Sequence, residues 1–306
     1  MKTLIVTLAA LSLAACAPSD DREKDLKSYG TANAFLQTEA NAFQGIAAIE
    51  NSMVHFNGTI LGFFDPSADS SMNMVDLGRD GRGFSGNRKV LTSGARFSYV
   101  LEHMGNLYNF VTRGGQVHLL TSLDGVTWLE HGIVLSSDPN PDSPWHQIWN
   151  VGVTVESDGV FHLVAEIGDS RPNQLGVGLG YARSDLGNFV FNFDSNKSAG
   201  HVVPYGGNPY ITYVAGQGLL VIHGQAHDPH GPFGAEWYVT ASTFDGTTWQ
   251  THRDKFTIGA PQIHICDPHV IDTPRGLLMT VSHDQNRLYK LEASGETFES
   301  LWAKLR

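Results

Sequence analysis

Cysteine is almost missing from this chain of 306 residues, which has only two, Cys16 and Cys266. With one of them in an N-terminal apolar run, no intramolecular disulfide framework and no paired-cysteine metal site can be built. Basic residues are also scarce: 20 Lys and Arg face 31 Asp and Glu, for a net charge of −11. That balance excludes nucleic acid as a partner, since phosphate binding needs a basic face. It suits a solvated protein that meets neutral or cationic ligands. The HExxH pattern of zinc proteases is absent.

The one apolar run long enough to notice, Leu4 to Ala15, follows the positive start Met1-Lys2 and leads through small residues to Cys16. Such a run is a targeting segment rather than part of the fold. Leu13-Ala14-Ala15-Cys16 resembles a bacterial lipobox, in which the cysteine becomes the lipidated first residue. The resemblance implies a lipoprotein signal peptide over 1–15, lipidation at Cys16, and a membrane partner held through acyl chains. An ordinary secretory signal is the alternative. Ala17 stands where an inner-membrane retention signal places Asp, so the expected location is the cell envelope, at the outer membrane in a Gram-negative host. Residues 16–45 begin with the polar stretch Ser19 to Asp25 and read as a lipidated N-terminus and tether.

Beyond residue 45 the sequence repeats. Ser122-Leu-Asp124-Gly125-Val-Thr127-Trp128 returns as Thr243-Phe-Asp245-Gly246-Thr-Thr-Trp249, with looser copies at Asp185-Leu-Gly187-Asn-Phe189 and Ser294-Gly295-Glu-Thr-Phe298. The spacing is about 60 residues, closing to about 50 at the last step, which marks one supersecondary unit used repeatedly. Two strand-like runs precede each tag, and a further pair opens the series. The runs begin at Asn51, Phe97, Asn150, Asn208 and Asp267, and their partners end at Asp65, Arg113, Glu166, His223 and His283. Turns such as Asn57-Gly58, Asp158-Gly159 and Gly216-Gln217-Gly218 supply the positive φ of a tight reversal. Five hairpins of this kind predict an all-β, five-bladed β-propeller over residues 46–306.

A propeller brings the first strand of each blade to a central axis. The strand openers Asn51, Phe97, Asn150, Asn208 and Asp267 therefore form one candidate ring, and Asp65, Arg113, Glu166, His223 and His283 a second. Ionisable groups within apolar strands are costly to bury unless paired or functional. Salt bridges around the channel, such as Arg113 with Asp65 or Glu166, are the purely structural alternative. Glu166, between Ala165 and Ile167, is the candidate proton donor, because burial raises a carboxyl pKa. Asp267 and Asp65 are the candidate second carboxylates. Asn51, Arg113, Asn150, Asn208, His223 and His283 are candidate substrate-binding groups, with Trp149 as a rim aromatic able to stack on a sugar. Cys266 reads as a small buried apolar residue. Eight of the 14 histidines lie beyond residue 200. They leave room for a divalent ion in the central channel, but no metal site and no other cofactor is assigned.

From about residue 45 onward the chain resembles the five-bladed propeller glycosidases, the broad group around glycoside hydrolase families 43, 32 and 117. The likeness rests on the two Asp-Gly-x-Thr-Trp tags, on Gly180-Tyr-Ala-Arg-Ser-Asp185, and on the openers Asn208-Pro-Tyr and Asp267-Pro-His. It implies a glycan substrate, a glutamic acid donor that only Glu166 matches by type, and a first-blade aspartate as base. The chain departs from the pattern there, for its first opener is Asn51, and an amide cannot take a proton from water. Asp267 or Asp65 would have to supply that carboxylate. Sialidase propellers need six blades and several sugar-binding arginines, and Arg113 is the only arginine in either ring. Two readings follow: a glycosidase of the cell envelope, and a non-catalytic lipoprotein that holds a carbohydrate or other ligand in the same funnel. A structural envelope protein with a plugged channel is a third.

Overall fold

The computed structural model describes residues 28–39, 48–66, 71–92, 94, 97–171, 176–184, 191–192, 200–228, 237–259, 264–283 and 287–306. The leader, Cys16 and most of the expected tether lie outside them. The chain enters the fold with two short strands, β1 (Ser28–Tyr29) and β2 (Leu36–Glu39). Blade 1 follows as β3 (Ala48–Phe56), β4 (Thr59–Pro66), β5 (Met72–Asp76) and β6 (Ser85–Leu91). Blade 2 is β7 (Ser98–His103), β8 (Asn106–Arg113), β9 (Gln116–Ser122) and β10 (Leu129–Ser136). Blade 3 is β11 (Gln147–Val155), β12 (Phe161–Gly168), β13 (Val177–Ser184) and β14 (Phe191–Asn192), with β15 (Val203–Pro204) also on β13. Blade 4 is β16 (Gly206–Val214), β17 (Gly218–Ala226) and β18 (Trp237–Phe244), with β19 (Trp249–Thr251) and β20 (Thr257–Ile258) both on β18. Blade 5 is β21 (Ile265–Thr273), β22 (Gly276–His283) and β23 (Arg287–Ser294). A last helix, α1, spans Phe298–Leu305. These are the five antiparallel sheets expected from the repeat, with β3, β7, β11, β16 and β21 innermost.

Two strands that precede residue 46 pair with the blades of the propeller. β1 pairs with β20 in blade 4, and β2 is the outermost strand of blade 5 beside β23. The start of the chain thus sews the end of the ring, covering an edge that would otherwise stand open. Ala32 and Phe35 anchor it, both buried, with the Phe35 ring edge-on to Phe256 at 6.0 Å. Because β2 fills the outer place of blade 5, the chain after Gly295 has no strand to form there. It turns instead into α1, capped reciprocally by Thr297 and Ser300.

The repeated tags work as inter-blade fasteners. Asp124 Oδ1 accepts the backbone N–H groups of Val126 and Thr127 at 2.8 and 2.7 Å, which holds its carboxyl down at about pKa 2. Trp128 then lies edge-on to Phe63 of blade 1 at 5.9 Å. Gly125 sits at φ 73, where an added Cβ would be 2.8 Å from the sulfur of Met74 in that blade. In the second copy Trp249 stacks on Phe244 and meets Tyr181 of blade 3. Apolar seams of this kind run between neighbouring blades, and Met53, Phe64, Ile271 and Leu278 close the one joining blade 5 to blade 1. Among the described residues, no helix is long and apolar enough to cross a membrane.

Candidate active site

The inner strands do not run as perfect ladders. Pairing slips between Ala48 and Glu50 in β3, between Ile148 and Val151 in β11, between Gly207 and Tyr210 in β16, and between Cys266 and His269 in β21. These are β-bulges, which free residues from pairing and re-aim their side chains. The freed residues include Asn150, Asn208-Pro209 and Asp267-Pro268. The prolines have no N–H to lose from the ladder. Asn208 and Asp267 adopt φ 49 and 51. Asn and Asp are the residues other than glycine that visit this region most readily, yet a following proline normally holds its neighbour extended. Strain of this kind persists where the surroundings over-determine it.

What holds it is a network of hydrogen bonds around the axis. Asn150 Nδ2 and the backbone N–H of Asn208 both donate to Glu166 Oε2, each at 3.1 Å. The side-chain amide of Asn208 donates to Asp267 Oδ1. Asp267 Oδ2 accepts from the Ser282 hydroxyl at 2.5 Å and from the Cys266 thiol at 3.0 Å. Asn51 Nδ2 closes the circuit onto the Asp267 carbonyl at 3.0 Å, and Thr280 donates to the oxygen of the Asn51 amide. One chain of contacts therefore joins blades 3, 4, 5 and 1. Asn208 alone spans the two carboxyl groups, which limits their separation to about 9 Å at most, within the range used by glycosidase pairs.

Neither carboxyl group is ion-paired among the described residues. Glu166 is 3% exposed, and burial pushes its pKa up to about 7. The bonds from Asn150 and Asn208 oppose that rise, and the charge of Asp267 adds to it. Burial raises Asp267 to about 6 against the donors Ser282, Cys266 and Asn208. The Cys266 thiol lies well above its ordinary range, through burial and the Asp267 charge, so it is a neutral donor rather than a nucleophile. It is buried, as expected, but polar in its use.

A small axial pocket of about 20 Å³ opens among Glu50, Asn51, Phe97, Asn150, Asn208 and Asp267. Glu166 stands behind Asn150 and Asn208. It abuts Gly207, where an added Cβ would lie 2.9 Å from the Glu166 carboxyl carbon and 2.5 Å from the Trp237 ring. At the far end of the channel a larger cavity of about 230 Å³ is lined by Tyr99, Glu102, Tyr210 and Asp272, with His269 in the walls of both. Glu50 and Trp237 were not legible as site residues. Glu50 had one signal, its place directly before the opener Asn51.

Several expected residues go elsewhere. Arg113 ion-pairs with Glu130 at 3.0 Å and donates to the Gly94 carbonyl at 2.6 Å, outside the axial pocket, because its own blade has no slip to turn it inward. His223 is fully buried between the Gly224 carbonyl and the Ser242 hydroxyl, with its pKa lowered to about 4 by burial, and holds structure rather than substrate. Asp65 is buried opposite Glu50 in blade 1 and does not line the axial pocket. Trp149 is half-buried in the blade 3 bulge, with its indole over Gly168. The side chain of His283 lies outside the described residues. Among the described residues, no three His, Cys, Asp or Glu side chains are placed to hold a metal ion.

No protein-family model matches the sequence. No curated protein matches it either. Solved structures match its five-bladed fold. A candidate glycoside hydrolase of Bacteroides ovatus superposes with a TM-score of 0.57 at 12% identity, over 84% of this chain and 95% of that one. The α-L-arabinofuranosidase PaAbf62A of Podospora anserina, solved with cellotriose, gives 0.56 at 13%, over 87% and 96%. A GH43_1 enzyme of Xanthomonas citri, solved with xylose, gives 0.54 at 11%, over 83% and 89%.

Proposed function

We propose that this protein is a glycoside hydrolase acting on a glycan at the cell envelope, with Glu166 as proton donor and Asp267 as its partner carboxylate. The observation that carries the reading is the pair itself. Two buried carboxyl groups with pKa values raised to about 7 and about 6 are joined through Asn208 beside an axial pocket. A group near 7 still carries its proton in about half of the molecules at neutral pH and can give it to a leaving oxygen, while a neighbour pushed up less far is mostly ionised and can act as base or nucleophile. Glu50, in the pocket wall of blade 1, is a third carboxylate for this work. The asparagines thus do not replace acids; they orient them. The similar folds of an arabinofuranosidase and of an enzyme holding xylose support a glycan substrate.

A second reading, a carbohydrate-binding protein without catalysis, is favoured by one feature: Glu166 lies behind Asn150 and Asn208 rather than in the pocket wall. The test is hydrolysis of aryl glycosides and oligosaccharides by the full-length protein in mild detergent, beside Glu166→Gln and Asp267→Asn. Activity lost in both variants supports the hydrolase; sugar binding by all three proteins with no turnover supports the binder. The proposal includes a lipid anchor at Cys16, checked by labelling with a radioactive fatty acid that Cys16→Ser abolishes. A divalent ion in the central channel belongs to it only if activity falls with a chelator and returns with added metal.

A further inference from the structure

Trp237 opens β18 in blade 4, paired with Ala226 of β17, and is 3% exposed. Its ring lies over two glycines that face each other across strands, Gly224 of β17 and Gly207 at the edge of the β16 bulge. An added Cβ would come within 2.7 Å of the ring at Gly224 and within 2.5 Å of it at Gly207. The same point at Gly207 is 2.9 Å from the Glu166 carboxyl carbon, so the indole edge and that carbon are at most about 5.4 Å apart. The ring atoms nearest Gly207 are the carbons Cη2 and Cζ3, and the indole N–H has no hydrogen-bond partner among the described residues. Trp237 therefore meets Glu166 as apolar surface and not as a donor. The other neighbours of Glu166 are Leu179, opposite it in β13, and the amides of Asn150 and Asn208 from β11 and β16. The charge that acts on it is that of Asp267 in β21, and His264 stands against the Trp237 ring at 6.5 Å.

We propose that Trp237 is a positioning residue for Glu166: seated in the slot left by the two glycines, its indole keeps water from the carboxyl and so holds it in the protonated, proton-giving form. A carboxylate needs hydration or donors, and an apolar face supplies neither. Burial is the largest influence on Glu166 and carries it to about 7 against the bonds from Asn150 and Asn208. The glycines make this possible, since a side chain at either position would push the ring out of its slot. Blade 4 thus gives the acid of blade 3 both a hydrogen bond, from the Asn208 N–H, and a dry wall. The inference rests on the reading of Glu166 as proton donor, but its test reads the carboxyl itself.

The test is an NMR titration of the full-length protein in mild detergent, isotope-labelled at the glutamate carboxyl carbons, with the Glu166 signal identified by its loss in Glu166→Gln. The wild-type signal should titrate at about pH 7. In Trp237→Ala water reaches the carboxyl, and the midpoint should fall by at least about one pH unit. Trp237→Phe keeps an apolar face there and should stay within about half a unit of the wild type. Gly224→Ala keeps Trp237 but displaces its ring, so the midpoint should again move down, by less; this variant decides the matter if Trp237→Ala does not fold. A wild-type midpoint near the ordinary glutamate value, a folded Trp237→Ala that titrates like the wild type, an equal fall in Trp237→Phe, or no fall in Gly224→Ala overturns the proposal. The expected order of midpoints without any hydrolysis sinks the hydrolase reading and leaves this one standing. Hydrolysis that needs Glu166, with a basic limb of the pH–rate profile that ignores Trp237→Ala, does the reverse.

Discussion

Blades 2 and 4 start their inner hairpins at the same end of the propeller and do opposite things there. The inner pair of blade 2 runs in unbroken register from Ser98 with Val111 to His103 with Asn106. That of blade 4 slips between Gly207 and Tyr210. The regular blade gives the axial pocket Phe97, Ser98 and Tyr99 and no ionised group, and its charged residue, Arg113, turns to Glu130. The slipped blade releases Asn208 to reach two carboxyl groups in other blades. Polar side chains meet across blades where a blade gives up ladder hydrogen bonds, and the charged residue at the end of the intact ladder pairs within its own blade.

The largest effect that would test the contrast is at Glu166. Glu166→Gln should lower kcat by about 10³-fold in steady-state assays, the scale of a lost general acid. The same substitution removes a pH effect on stability. The folded pKa of about 7 lies above the ordinary 4.5, so native Glu166 holds its proton more tightly than the unfolded chain does. Stability is then full below about pH 4.5 and falls as pH rises through about 7, by roughly 3 kcal/mol. Thermal melts should show Glu166→Gln more stable than the wild type at pH 8 and no better at pH 4.

Next comes the bridge itself. Asn208→Gly keeps φ 49 and the backbone N–H to Glu166 but removes the bond to Asp267; Asn208→Ala removes that bond and adds strain. Both should lose activity, and Ala should melt lower than Gly, by about 1 kcal/mol on denaturant titration. Equal stability would mean that the backbone turn is not what holds the bulge. A smaller change is expected from Ser282→Ala, which takes a donor from Asp267 and lets its pKa rise from about 6. The acid limb of the pH–rate profile should move upward while the basic limb, set by Glu166, stays. The smallest belongs to the regular blade: Arg113→Ala should cost no more than about 1 kcal/mol in stability, as exposed ion pairs do, and leave turnover unchanged.

The fold was legible because its signals are local. Asn57-Gly58 turns with both φ angles positive, and Asp124 and Asp245 cap their own turns two and three residues on, so each can be read within a short window. Glu166 and Asp267 were legible as acids in apolar strands. The second ring was not, because counting positions cannot see bulges. Glu166 and His223 each stand opposite a slip, yet one bonds across the axis and the other into its own sheet. His283 lies beyond the equivalent place, since the slip in β21 stands opposite Val281.

By itself, then, the sequence determined the number of blades, the turns, the fastening tags and two of the three carboxyl groups near the axis. Only the tertiary structure decided that residues 28–39 close the ring, that Asn208 joins Glu166 to Asp267, and that Glu50 belongs with them. The physical reason is range. Turn and strand preferences act between residues a few positions apart, whereas the bond from Asn51 to Asp267 spans 216 positions and exists only once the ring has closed.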